Sequence, residues 1–503
     1  MNAASIIDLH DGDLVALIDR AGPVTYRELR ERVAATAAGL IAEGLEPGDR
    51  VAIIAGTDTS FVVSLLATFA AACVAVPLNP NSPVPEAVRQ LHAVDPKAMM
   101  VGVGKGDHAL AIAERVPSIE VVGKPWGSRA KDIDRIGVAG AEFSPTDVAP
   151  AIEAALLFTS GTSGEPRAAA LSHGNLLATQ QQLRSLLETQ ASGDNSSPVH
   201  QAVALLALPL FHIYALNLVL NSLLAVASTI VMLEEFHAAD MLAAIDEHQP
   251  TVLPGVPPMW AALAAARDVS PERMSSIRFA TSGASHLPLA TYEAVRDRLG
   301  LTISEGYGLT ETGGLVTSSL GNEVKPGSVG RPLPGVQMRL VDEGVDVPVG
   351  DRGEVWVRGD NVTGGYWQDL DATGRSITSD GWLRTGDIGV VDDDGYLYLV
   401  DRSKDMIIVS GFNVFPAEVE EVLMSIPTIE HAIVVGEDDD RTGETVVAHV
   451  QLAEDSDLTA DYIKAFCRDY LARYKTPSRV EIVDELPATL TGKRLRRMLK
   501  TAG

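Results

Sequence analysis

Residues 156–167 read LLFTSGTSGEPR, an apolar strand running into a loop of hydroxyls and glycines that ends on a cation. Gly161 and Gly164 let backbone N–H groups approach an anion closely, and Thr159, Ser160, Thr162 and Ser163 add hydroxyl donors. Arg167 supplies fixed positive charge, so the stretch has what a polyphosphate cradle needs. The spacing is not G-x-x-x-x-G-K-[ST], so the fold of P-loop ATPases is not implied. Taken alone, the same residues could form a surface Ser/Gly loop. GVGKG at 102–106 lacks the spacing of a dinucleotide loop and reads as a turn.

Around this loop, helical and strand patterns alternate. Residues 24–44 carry a helical period that stops at Gly44, residues 50–56 form a strand, and residues 287–300 form a helix ending at Gly300. The alternation predicts α/β layers with mostly parallel sheets. After Val336, MRLVDE, GEVWVRG and GYLYLVDR are short strands between Gly and Asp turns, which predicts a β-rich subdomain. A small α+β unit follows, with a helix at 416–426 and strands at 431–437, 445–452 and 479–486. In the helix after Asp461, residues Ile463, Phe466, Cys467, Tyr470 and Leu471 recur on one apolar face. GDNSSP at 193–198 is the clearest exposed loop. The expected domains are 1–401 and 402–503.

With 503 residues, the chain is too long for one ordinary core. Hydrophobic residues at 46% and charged residues at 21% give a globular profile. Lys plus Arg number 40 against 67 Asp plus Glu, for a net charge of −27, which argues against nucleic acid as a partner. Two cysteines far apart, Cys73 and Cys467, exclude a disulfide scaffold and fit a reducing cytoplasm. The first residues show no basic and then apolar run, so a signal peptide is not expected. Residues 195–233 hold no Asp, Glu, Lys or Arg, but Pro198, His200, Pro209, His212, Asn217 and Asn221 interrupt them. The expectation is a buried strand–helix–strand unit rather than a membrane span. The uncharged stretch 59–85 reads likewise as a buried helix running into AVPLNP.

Four further stretches could carry chemistry. EGYGLTETG at 305–313 sets an aromatic, a hydroxyl and a carboxylate among glycines, so Tyr307 could stack on a base, Thr310 donate to a phosphate and Glu311 hold Mg²⁺. WLRTGDIG at 382–389 puts Asp387 in a glycine-rich turn, suited to a ribose diol or simply to the turn itself. DRSKDMIIVSGFNVFPAEVE at 401–420 gathers charge at the domain junction, and LPATLTGKRLRR at 486–497 places Lys493 after Gly492.

In this order and at these separations, the five motifs resemble the ANL superfamily of adenylate-forming enzymes, over essentially the whole chain. LPLFHIYALN at 208–217 and residues 473–497 most resemble fatty-acid CoA ligases. The resemblance implies ATP, Mg²⁺ and coenzyme A. The loop from Thr159 to Gly164 would hold the β- and γ-phosphates. Gly283, Ala284 and Ser285 would line the adenine and acyl sites, and Glu305, Gly306, Tyr307 and Gly308 would frame adenine. Thr310 would contact the α-phosphate, and Glu311 would ligate Mg²⁺. Asp387 and Arg402 would hold the ribose, Lys493 would bridge carboxylate and α-phosphate, and Lys404 would be the hinge of a mobile small domain. Gly411 and Phe412 would face the pantetheine.

His212 stands where the amino-acid-activating members that the chain resembles carry Asp, which argues against an α-amino acid, and it joins the candidate catalytic residues. Leu216, Val219, Leu220, Leu223 and Leu224 suggest either core packing or an apolar acyl chain, so a medium- or long-chain fatty acid is expected, with aryl and short dicarboxylic acids as alternatives. An acyl carrier protein is the alternative acceptor. The family usually has Lys and Gly where Arg167 and Ala168 stand. The sequence leaves monomer and homodimer open.

Overall fold

The computed structural model describes the chain except residues 129–132, 160–165, 189–200, 403–406, 410–411, 415, 440–442, 454–455, 472, 488–498 and 500–503. It divides into two compact units, Met1–Gln337 with Val357–Leu383, and Met338–Trp356 with Arg384–Gly503.

The first unit is built on two sheets, as the alternating pattern predicts. One has seven strands in the order Arg135–Ile136, Val121–Pro125, Ala98–Val101, Arg50–Ile54, Val74–Pro77, Glu153–Thr159 and Arg167–Ser172. Its pairings are parallel except the last, an antiparallel pair whose two strands flank residues 160–165 in the chain. The other sheet has nine strands, with Ile303–Tyr307, Phe279–Ser282, Val252–Gly255, Val203–Leu206, Thr229–Met232 and Val15–Asp19 running parallel and antiparallel additions at both ends.

Helix Tyr26–Ala42 starts where Thr25 and Glu28 cap each other's backbone N–H. Helix Thr59–Ala70 is buried along its whole length, which explains its uncharged sequence. Among the described residues, no helix is long and apolar enough to cross a membrane.

The uncharged stretch at 195–233 holds the expected strands, Val203–Leu206 and Thr229–Met232, but its helix differs. Residues Tyr214–Asn221 wind as a π-helix before a short α-turn, Ser222–Leu224. The Ser222 backbone N–H and hydroxyl both bond the Asn217 carbonyl, while the Asn217 amide donates to the Gly313 carbonyl at 2.9 Å. A buried amide reaching sideways to another loop favours the wider turn. The exposed loop expected at 193–198 lies outside the described residues.

The β-rich stretch is a five-stranded sheet in the order Val345–Asp346, Gln337–Asp342, Gly353–Arg358, Leu383–Val391 and Leu397–Arg402. At the C-terminal end, Phe412–Val414, Ile407–Val409, Gly443–Leu452 and Ile429–Asp439 form an antiparallel sheet to which Arg479–Val483 adds in parallel. Helix Ala460–Tyr470 packs Ile463 and Cys467 into a core with Val419, Leu423 and Ala448. Tyr470 was expected on that face, yet it is 67% exposed. The helix ends there, and Leu471 turns to extended backbone.

Candidate active site

The hairpin Glu153–Thr159/Arg167–Ser172 holds the first motif. Thr159 and Arg167 face each other as its last pair, and Leu156 and Leu157 anchor the strand in the core. Ser160, Gly161, Thr162, Ser163 and Gly164 lie outside the described residues. Ala168, where the family usually has Gly, is buried and packed in the cluster with Leu156, and its carbonyl accepts from Trp367 N–H at 2.9 Å. Arg167 is ion-paired, its Nε 3.3 Å from the Asp369 carboxylate.

The second motif is a strand end followed by a turn. Ile303–Tyr307 pairs with Phe279–Ser282, and Thr310–Thr312 makes a single 3₁₀ turn. The glycines between are required by the close approach of backbone, since a Cβ at Gly308 would lie 2.2 Å from the Gly314 carbonyl oxygen. Glu305 is 4% exposed and accepts from the Leu287 and Gly327 N–H groups, and burial pushes its carboxyl up to about 7. Its side chain is thus spent on two neighbouring loops, leaving its backbone in the segment expected to frame adenine. Tyr307 is also buried.

Glu311 is held differently. Its Oε1 accepts from the Tyr366 hydroxyl at 2.7 Å, and its carbonyl accepts from Thr363 N–H at 2.8 Å. Burial and the neighbouring Glu311 hold the Tyr366 phenol above its ordinary range, so it keeps the proton it donates. Among the described residues no cluster of three or more His, Cys, Asp or Glu could cage a metal. The Oε2 side of Glu311, not used by the Tyr366 bond, fits Mg²⁺, which is commonly held by one or two carboxylates plus substrate phosphates.

Gly283, Ala284 and Ser285 follow strand Phe279–Ser282, with Ala284 at φ +69°. The Tyr214 ring lies 3.4 Å from where a Gly283 Cβ would be, and its hydroxyl bonds Thr281 Oγ1 at 3.0 Å. Burial pushes the Tyr214 phenol up to about 12. His212 precedes the π-helix, its ring 4.4 Å from that of Phe211. Leu218 of the π-helix and Ile213 just before it stand against Gly314. Leu216, Val219, Leu220, Leu223 and Leu224 are buried in the main core cluster, the packing alternative of the sequence reading.

In the second unit, Asp387 lies in strand Leu383–Val391 and not in a turn. It is 5% exposed and registers opposite Arg402 of strand Leu397–Arg402. Gly386 at φ +73° and the bond from Asp387 N–H to Thr385 Oγ1 kink the strand locally, which accounts for the turn-like sequence. Phe412 pairs by its backbone with Val409. Lys404, Gly411 and Lys493 lie outside the described residues.

Tyr366, Asp369 and Tyr214 were not singled out from sequence, and Asn217 was noted only as a break in an uncharged stretch. The only local signal is a Tyr and an Asp three apart in GGYWQD, between a glycine pair and a helix start.

The AMP-binding enzyme family matches residues 9–367, and the AMP-binding enzyme C-terminal domain matches residues 418–493. The chain is 37% identical over 478 residues to a feruloyl-CoA synthase of an Amycolatopsis species, covering 94% of this chain and 92% of that one. It is 33% identical over 492 residues to 4-coumarate–CoA ligase 2 of Nicotiana tabacum, covering 95% and 89%. The crystal structure of ATP-bound MatB from Rhodopseudomonas palustris matches with a TM-score of 0.89 at 30% identity, over 99% of this chain and 98% of that one. Motifs, fold and relatives agree: the chain belongs to the AMP-binding enzyme family of the adenylate-forming ANL superfamily, and it is an AMP-forming acid–thiol ligase that uses ATP and CoA.

Proposed function

We propose that the enzyme activates an aromatic carboxylic acid as an acyl-AMP and passes the acyl group to coenzyme A. The observation that carries this reading is the near full-length match to a feruloyl-CoA synthase, joined by a 4-coumarate–CoA ligase. The Tyr214 ring beside Gly283, in the segment expected to line the acyl site, supports the reading as one wall of that site. The leucines that suggested a fatty acid are core residues, so that expectation loses its support.

The chemistry follows from the charges involved. A carboxylate oxygen attacks the α-phosphorus, the bond to pyrophosphate breaks, and acyl-AMP forms. The CoA thiol then attacks the acyl carbonyl, loses its proton and expels AMP. Two anions meet in the first step, so positive charge must stand where negative charge develops. Mg²⁺, held by Glu311 and the phosphates, supplies part of that charge when bound. The hairpin loop and Arg167 bind the outer phosphates, Thr310 donates to the α-phosphate, and Asp387 with Arg402 takes the ribose. Lys493 bridges the two reacting groups, on a domain that begins at residue 402 and swings about Lys404. Gly411 and Phe412 meet the pantetheine in the second step.

The test is ATP-dependent pyrophosphate release over 4-coumarate, ferulate, benzoate, octanoate, palmitate and malonate, with and without CoA. The proposal expects the highest kcat/KM with an aromatic acid and faster turnover with CoA. A maximum at octanoate or palmitate would overturn the choice of acid, and indifference to CoA would point to a carrier protein as acceptor.

A further inference from the structure

Residues 359–369 carry no motif, yet they touch both elements that handle phosphate. By backbone, Ala170 N–H donates to the Gly365 carbonyl at 3.0 Å, Trp367 N–H to Ala168 at 2.9 Å, and Thr363 N–H to Glu311 at 2.8 Å. Ala169 and Tyr366 form an antiparallel bridge. The segment is therefore a strap that lies along the stem of the phosphate-loop hairpin and also reaches the turn bearing Glu311. Asn361 fastens its start, donating to the Thr312 and Leu315 carbonyls at 3.0 and 2.9 Å.

Two side chains of this strap meet two charged groups of the proposed site, Glu311 and Arg167. The Tyr366 hydroxyl donates to Glu311 Oε1 at 2.7 Å, a bond that does not use Oε2. Asp369 Oδ2 lies 3.3 Å from Arg167 Nε, a contact that does not use the terminal guanidinium nitrogens. The other Asp369 oxygen accepts from Ala372 N–H at 2.8 Å and caps helix Leu370–Ser376, which fixes the carboxylate itself. A planar guanidinium, unlike the ammonium usual here, must be held in one rotation to present its fork to phosphate. A metal-binding carboxylate likewise depends on the hydrogen bonds behind it.

We propose that the strap is a positioning device for ATP, in which Tyr366 orients Glu311 and Asp369 orients Arg167 so that carboxylate and guanidinium meet the magnesium-bound triphosphate in one fixed relation. The inference rests on the reading of Glu311 as the magnesium ligand and Arg167 as a phosphate contact.

The experiment compares the full-length enzyme with Tyr366→Phe, Asp369→Asn, Glu311→Gln and the Tyr366→Phe/Glu311→Gln pair. Phe keeps the ring, and Asn keeps a capping oxygen. Calorimetry without acid or CoA reads ATP affinity as Mg²⁺ is titrated. Pyrophosphate release and thioester formation from supplied acyl-AMP read the two half-reactions separately. Tyr366→Phe is expected to weaken Mg²⁺-dependent ATP binding about 10-fold or more, and to slow pyrophosphate release without a matching loss in thioester formation. Asp369→Asn is expected to weaken ATP binding about 10-fold at every Mg²⁺ concentration. The double variant should be no worse than Glu311→Gln alone. Additive losses, or equal losses in both half-reactions, would show a merely structural role and overturn the inference. A damaged Glu311→Gln beside a silent Tyr366→Phe would overturn the inference alone. An undamaged Glu311→Gln would overturn the reading of Glu311 and the inference with it.

Discussion

Glu305 and Glu311 stand six residues apart in one motif, and the two ends of that motif use the same carboxylate in opposite ways. Glu305 closes a strand, is 4% exposed, and is hydrogen-bonded by backbone N–H groups from two loops. Glu311 sits on the turn beyond, half-buried, with one oxygen on the Tyr366 hydroxyl. Burial raises the first toward neutrality, so it serves as architecture. The second is steered by a distant side chain and stays partly open, as the proposed magnesium ligand must. Sharing a motif does not make two residues share a role; what the rest of the chain brings to each decides it.

The largest effect should come from removing the joint between the two ends. Gly308→Ala would put a methyl carbon 2.2 Å from the Gly314 carbonyl oxygen, in a backbone that cannot swing aside as a side chain would. The expected result is a loss of about 3 kcal/mol or more in a denaturation curve. Adenylation should fall at least ~100-fold, as misplacement of reacting groups does.

Next is the pH dependence of stability at Glu305. Its folded pKa of about 7 lies above the ordinary 4.5, so the unfolded chain releases the proton first. The contribution of this group to stability is therefore fully present below pH 4.5 and is lost as pH rises through 7. The full difference corresponds to about 3 kcal/mol. Urea denaturation of Glu305→Gln across that window should show the wild type losing stability relative to the variant. Parallel curves would mean that Glu305 is not the strained group.

A smaller effect, on specificity, is expected at the acyl wall. Gly283→Ala adds one methyl at 3.4 Å from the Tyr214 ring, an ordinary contact, so the fold should tolerate it. Discrimination among aromatic acids should shift by roughly 10-fold, the usual weight of one carbon in an apolar pocket, with little change in KM for ATP. Equal changes in both would place Gly283 outside the acyl wall.

The legible parts of this molecule are those whose chemistry needs particular residue types close together. The hydroxyl–glycine run and the YGLTE stretch could be singled out from the chain, and the alternating layers followed from hydropathy, whereas Asp387 reads as a turn residue and stands in a strand opposite Arg402. What could not be read depends on contacts between distant stretches. Tyr366 meets Glu311 across 55 positions, and Asp369 meets Arg167 across a larger gap. Asn217 of the π-helix reaches Gly313 across 96 positions, a contact that no local period encodes. The fatty-acid expectation is left without support for the same reason. Leucines at helical spacing look alike whether they face a ligand or a core, and here Leu216, Leu220 and Leu224 are fully buried in the core.

The separation of the two glutamates is tested most directly by the initial rate of pyrophosphate release at saturating aromatic acid and ATP, pH 8, in Glu311→Gln and Glu305→Gln side by side. The account predicts a loss of roughly 100-fold in Glu311→Gln. It predicts a loss in Glu305→Gln below tenfold, the factor that about 1.4 kcal/mol makes. Equal losses in the two variants, or the larger loss in Glu305→Gln, would contradict it.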